Sequence, residues 1–168
     1  MKFSVVAAGA VLAFAGLSAS ASETAWGIHD AAESVAMRYP TNTTFDDVYS
    51  FTLGQASSLL AVAVSNDALS VFNIEGGQVS LFKDTDGNFT NDTALSSFAF
   101  DQAATFKQWS ALAAGDYYYR IAGTVTGTQG GTYVLSSALM PIPEPETYAL
   151  LLAGLGAVAF VSRRRKSS

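Results

Sequence analysis

The chain contains no cysteine. That excludes disulfides, thiolate metal sites and thiol catalysis, and leaves packing alone to hold the folded chain together. Histidine occurs once, at His29, with Asp30 and Glu33 close by. A metal or general-base role is chemically conceivable there, but a lone histidine beside Trp26 is more often structural. No G-x-S-x-G elbow, H-E-x-x-H helix or phosphate-cradling loop occurs, and no serine has an identifiable base beside it. The expectation is therefore a protein without catalytic activity. Basic residues are scarce in the body of the chain: residues 22–142 hold only Arg38, Lys83, Lys107 and Arg120 against twelve acidic side chains, a net charge of −8. The −5 of the whole chain understates this acidity. A body so acidic argues against nucleic acid or anionic lipid as a partner.

The missing positive charge lies at the two ends. Lys2 precedes an uncharged apolar run from Val5 to Leu17, and Ala19-Ser20-Ala21 follows in the small-x-small pattern that signal peptidase reads. Cleavage after Ala21 would leave Ser22 as the new terminus. At the other end, Pro143, Glu144 and Pro145 form a stiff extended stretch. An uncharged segment from Tyr148 to Val161 comes next, and then Arg163, Arg164, Arg165 and Lys166. A full bilayer span takes about 20 apolar residues, so the run is short. The basic flank favours a membrane segment over a soluble terminal helix, since such clusters stay on the cytoplasmic side. With both basic ends inside, the body lies outside the cytoplasm.

The order Pro143-Glu144-Pro145, apolar helix, Arg163-Arg164-Arg165 resembles the PEP-CTERM sorting signal of Gram-negative bacteria. The resemblance implies recognition and tail removal by exosortase, a membrane transpeptidase, in systems that accompany exopolysaccharide production. It covers the tail only. The implied division is a signal peptide at 1–21, one domain at 22–140 and a sorting signal at 141–168. Within the signal lie the motif at 143–145, a transmembrane helix at 147–162 and a basic tail at 163–168.

About 120 residues suit a single domain with one core. Alternating or β-rich runs occur at Val48–Leu53, Leu59–Val64, Leu69–Ile74, Val79–Lys83, Phe98–Phe100, Tyr117–Val125 and Thr132–Ala138. Turn signals separate them at Ser65-Asn66-Asp67, Glu75-Gly76-Gly77, Asp84–Asn88, Ala114-Gly115-Asp116 and Gly127–Gly131. Only Asp30–Arg38 fits a helical turn or two. The pattern predicts an all-β antiparallel sandwich or barrel, flanked by a signal helix and a transmembrane helix. Phe45-Asp46-Asp47-Val48-Tyr49, with Trp26–Asp30 upstream and Gly115–Tyr119 and Gly130–Tyr133 downstream, resembles the FxDxF family of PEP-CTERM proteins. Tyr49 stands where that motif has its second phenylalanine. The Asp-x-Tyr-x-Phe pattern of Asp47, Tyr49 and Phe51, with Leu112 and Gly115-Asp116-Tyr117-Tyr118 later, is more loosely similar to pre-peptidase C-terminal domains, which implies a jelly-roll-like β-sandwich.

Candidate ligand sites are few. Asp84, Asp86 and Asn88 place oxygen ligands at alternate positions, like the opening of a calcium loop. Leu95 stands where such a loop needs its glutamate and Phe89 where it needs its glycine, so a metal-free hairpin turn is favoured. Asp47, between inward-facing aromatics, is expected to cap a turn through backbone N–H groups or to ligate calcium. Trp109, Tyr117, Tyr118, Tyr119 and Tyr133 offer a possible sugar-stacking platform, although alternation puts Tyr118 opposite Tyr117 and Tyr119. Three Asn-x-Thr matches fit chance in a bacterial export context, and one threonine run at Thr124–Thr128 is too short for an ice-binding array.

The expectation is a non-enzymatic exported protein of the cell surface or extracellular matrix. Its expected partners are signal peptidase, exosortase, the inner membrane before tail removal and exopolysaccharide. It is expected to sit in the inner membrane transiently with its body in the periplasm, and then at the cell surface or outside. The alternative is a carbohydrate- or calcium-binding module at the same place. No cofactor is expected beyond possible calcium.

Overall fold

Eleven residues from Thr43 to Leu53 alternate between buried positions and half-buried or exposed ones, as a strand with one face on a core requires. In the computed structural model, which describes residues 18–68, 70–141, 150 and 152–155, this strand belongs to one of two sheets. The described residues form β1 (Ser18–Ser20), β2 (Glu23–Ile28), β3 (Ala32–Tyr39), β4 (Thr43–Leu53) and β5 (Ser57–Ser65). They continue with β6 (Ile74–Lys83), β7 (Ala94–Ala99), β8 (Thr105–Leu112), β9 (Gly115–Val125) and β10 (Gly131–Pro141).

The first sheet runs β1-β4-β9-β6-β7, with β2 also on the outer edge of β4; the second runs β3-β10-β5-β8. All pairings are antiparallel except those of β1 and β2, which follow one another along β4 in parallel. Ser18–Ser20 pair with Thr43–Phe45, and Glu23–Ile28 with Val48–Thr52. The result is the expected β-sandwich, with Phe45, Tyr49, Phe51, Tyr119 and Ile121 of one sheet facing Tyr39, Leu59, Trp109, Tyr133 and Leu135 of the other. Gly123 has a packing reason: a Cβ there would lie 2.8 Å from the Phe45 ring and 2.9 Å from Ile74.

The structure corrects several sequence expectations. Asp30–Arg38 is no helical turn, because β3 occupies most of it and pairs with β10 from Ala32 to Tyr39. Its half-buried residues, Glu33, Val35 and Met37, recur every second position, which outweighs the local helix propensity. The strand expected at Leu69–Ile74 does not form over residues 70–73, Leu69 lying outside the described residues. Ala68 bridges Phe72 across a tight turn closed by Val71 N–H donating to Ala68 O, and β6 starts only at Ile74. Glu75-Gly76-Gly77 is not a turn but an irregularity inside β6, where the register shifts between Glu75 and Gln78 and Gly76 adopts φ 65°. β8, which the sequence patterns missed, closes the second sheet against β5.

The two expected terminal helices fall largely outside the described residues. Leu150 and Leu152–Leu155 are helical and exposed. Among the described residues no helix is long and apolar enough to cross a membrane.

Candidate functional site

The odd-numbered face of β4 carries Phe45, Asp47, Tyr49, Phe51 and Leu53 into the core. Asp47 is fully buried in that stripe. Its Oδ2 accepts the Tyr39 hydroxyl at 2.6 Å and the Tyr133 hydroxyl at 2.5 Å, and its Oδ1 accepts the Ser22 N–H at 3.1 Å. Because Tyr133 gives its proton to Asp47, its 2.8 Å bond with Tyr49 runs from the Tyr49 hydroxyl. The extra hydroxyl of Tyr49 thus extends the network by one member. Asp47 caps no turn, contrary to expectation: the one backbone N–H it accepts lies 25 residues away. Burial and the Asp47 carboxylate push the Tyr39 and Tyr133 phenols well above their ordinary range, burial being the larger cause. The rings of Tyr39, Phe45 and Tyr133 stack around this centre, 4.8 and 5.3 Å apart in successive pairs.

A second buried chain links the sheets near the end of β2. His29 Nδ1 lies 2.7 Å from the Asp30 carbonyl, which can only accept, so Nδ1 carries a proton. In the neutral ring Nε2 then accepts from Ser137 Oγ at 2.9 Å, and the Tyr119 hydroxyl donates to that oxygen at 2.9 Å. Sequence inspection missed the Ser137–His29 pair because 108 residues separate its members. It has the spacing of a nucleophile and its base. Both side chains are buried, however, and a backbone carbonyl, not a carboxylate, orients the ring. Trp26 and Phe51 pack edge-on against the imidazole. This arrangement ties β2 to the second sheet and presents nothing to a substrate.

The aromatic platform does not exist at the surface. Trp109, Tyr117, Tyr118, Tyr119 and Tyr133 are all buried. Tyr118 does face away from the core, as alternation required, but it is covered: Phe82 of β6 stacks on it at 4.8 Å, and Phe89 of the β6–β7 loop meets it edge-on at 5.0 Å. Its hydroxyl reaches Asp92 at 3.3 Å. Burial first, and then Asp92, push the Tyr118 phenol up to about 12.

That loop brings together Asp84, Asp86 and Asp92, one carboxylate oxygen of each within 4.8 Å of the others. Asp92 was absent from the sequence-derived set because it enters from the far end of the loop, beyond any short motif. Asp84 Oδ1 accepts the N–H groups of Asp86 and Gly87, and Asp86 Oδ1 that of Asn88. Asn88 Oδ1 accepts from Thr90 Oγ1, so its side chain is engaged within the loop. The loop spans ten residues between Lys83 and Ala94, longer than the tight hairpin expected from Asp86-Gly87. Hard oxygen donors of this kind suit calcium.

An open groove of about 530 Å³ runs beside this loop, lined by Ala21, Ser22, Glu23, Asp46, Val48, Phe89 and Arg120 among others. Arg120 grips Asp46 on the neighbouring strand with both Nε and Nη2. Of the processing residues, Ala19 lies in β1 and Ala21 is exposed between β1 and β2. Pro143, Glu144, Pro145, Arg163, Arg164 and Arg165 lie outside the described residues.

No curated protein sequence matches this chain. Among solved structures, the pre-peptidase C-terminal domain of a collagenase from Bacillus anthracis is similar at 16% identity and a TM-score of 0.48, over 68% of this chain and 93% of that one. PliG of Aeromonas hydrophila, a periplasmic inhibitor of g-type lysozyme, is similar at 11% identity and a TM-score of 0.42, over 71% and 99% of the two chains. PliG of Salmonella Typhimurium gives 13% identity and a TM-score of 0.35, over 70% and 98%. Residues 141–166 match the PEP-CTERM protein-sorting motif, beginning at the last residue of β10, and the motif implies an exported protein with a C-terminal membrane-anchoring tail that exosortase processes.

Proposed function

We propose that this protein is a non-enzymatic component of the cell surface or extracellular matrix, delivered by exosortase and associated with exopolysaccharide. The sorting motif at residues 141–166 carries this reading. It starts where the sandwich ends, so a membrane enzyme can work on the tail without disturbing the folded body. The burial of the single histidine and of the aromatic residues supports a structural role over catalysis or sugar stacking. Signal peptidase removes 1–21, the tail at 147–162 holds the body on the periplasmic side, and exosortase acts at Pro143-Glu144-Pro145. Replacing those three residues with alanine in an exosortase-bearing host is expected to leave full-length, membrane-bound protein, detected by a tag on the body and mass spectrometry of the tail. Unchanged processing would overturn the sorting mechanism.

Calcium binding is a second reading, favoured by the convergence of Asp84, Asp86 and Asp92. Calcium would draw the two ends of the β6–β7 loop together over Tyr118, and isothermal titration with calcium is the direct test.

A further inference from the structure

Asp47 poses an electrostatic problem. A carboxylate with no exposed surface is costly unless a cation and hydrogen bonds compensate it. Three donors face it, but all are neutral: two phenols and one peptide N–H. Among the described residues no cationic side chain reaches it, and Arg120, the nearest lining the adjacent groove, is engaged by Asp46.

The peptide N–H belongs to Ser22. We propose that signal-peptide removal turns this nitrogen into an α-ammonium that serves as the counter-ion of Asp47, so that N-terminal processing completes the core. The inference rests on cleavage after Ala21. Nothing has to move for the pair to form, since the nitrogen already lies 3.1 Å from Asp47 Oδ1. Ser22 is anchored independently by its carbonyl, which accepts the Val48 N–H at 2.8 Å. The surroundings also favour a positive charge, because Glu23 and Asp46 line the same groove with Arg120 as the one cation among the lining residues.

Among the described residues, what processing removes is slight by comparison. β1 is a three-residue edge strand with largely exposed side chains. Its loss uncovers the Thr43–Phe45 edge of β4, and the loss of Ala21 widens the adjacent groove. The precursor therefore carries an uncompensated buried carboxylate, and the exported form does not. Stability rises after translocation, when a folded body is wanted.

The test uses the processed protein purified from an exporting host. N-terminal sequencing comes first. A start at Ser22 supports the cleavage reading, and any other start overturns both that reading and the ion pair. The folded protein is then treated near neutral pH with an amine-acylating reagent, and the Ser22–Arg38 tryptic peptide is followed by mass spectrometry, with exposed Lys83 as internal reference. Expected is a slowing of α-amine labelling by about tenfold or more relative to the denatured protein, the factor that one unit of pKa elevation alone supplies. Equal rates in the folded and denatured states, with Ser22 confirmed as the first residue, overturn the ion pair and leave the cleavage site standing. In folded Asp47→Asn the labelling is expected to accelerate toward the denatured rate; unchanged protection in that variant also overturns the pair. Should Asp47→Asn fail to fold, the wild-type rates still decide.

Discussion

Two groups of aspartates occupy opposite sides of the same sheet and meet their needs in opposite ways. Asp47, on the inner face of β4, takes its donors from three separate segments: Ser22 before β2, Tyr39 at the end of β3 and Tyr133 in β10. Asp84, Asp86 and Asp92, in the loop over the outer face, take theirs mostly from within that loop, with Tyr118 the one donor from the sheet. The inner carboxylate binds the sandwich together and leaves no room for a ligand. The outer cluster folds its own loop, with Asp86 exposed and Asp84 and Asp92 half-buried. The same residue type draws on the whole fold in one place and on its own loop in the other.

Mutations separate the two. Asp47→Ala is expected to have the largest effect, about 3–5 kcal/mol of lost stability in denaturant unfolding, since two buried phenols and the half-buried Ser22 nitrogen lose their acceptor. A loss below about 1 kcal/mol, the scale of a single ordinary hydrogen bond, would mean the inner aspartate is no more structural than the outer ones. Next is the response to calcium: if the outer cluster binds it, a calcium concentration 100 times the dissociation constant adds about 2.7 kcal/mol. This gain should vanish in Asp84→Asn and persist in Tyr133→Phe. No thermal shift in the wild type at any calcium concentration would erase the functional half of the contrast. Tyr133→Phe removes one donor to Asp47 and the acceptor of Tyr49, for roughly 1–3 kcal/mol by the same denaturant measurement.

An alkaline titration sharpens the outer side. The Tyr118 phenol is raised from 10.0 to about 12 in the folded protein, so its contribution is complete below pH 10 and is lost as the pH climbs toward 12. The phenolate absorbance difference between the wild type and Tyr118→Phe isolates this tyrosine and should show it ionising late. Ionisation near pH 10 would show that the loop does not seal Tyr118. The smallest effect belongs to Arg120→Ala. Both partners of its bridge to Asp46 are about two-fifths exposed, so the cost should stay under about 1 kcal/mol and shrink further in salt.

Much of the scaffold was legible along the chain. β4, β5, β9 and β10 alternate plainly, and the odd positions of Phe45-Asp46-Asp47-Val48-Tyr49 identified Asp47 as inward-facing. β3 was misread because its alanines and Met37 favour a helix locally, while the β10 ladder that overrides them lies about a hundred residues on. The irregular segment of β6 was misread because two adjacent glycines signal a turn and an in-strand bulge alike. Asn88 was included as a possible ligand and Asp92 was not, since alternate spacing reports neighbours along the chain and not the residues a ten-residue loop folds back.

By itself the sequence determined the β class, the acidic body, the absence of thiol chemistry and the C-terminal sorting motif, since these depend on composition, period and short contiguous motifs. Only the tertiary structure decided that Asp47 meets Ser22, that His29 meets Ser137 and that Asp92 joins Asp84 and Asp86. Each of these arises from strands or loop ends brought together by sheet pairing, and a hydrogen bond depends on distance in space, which separation along the chain does not encode.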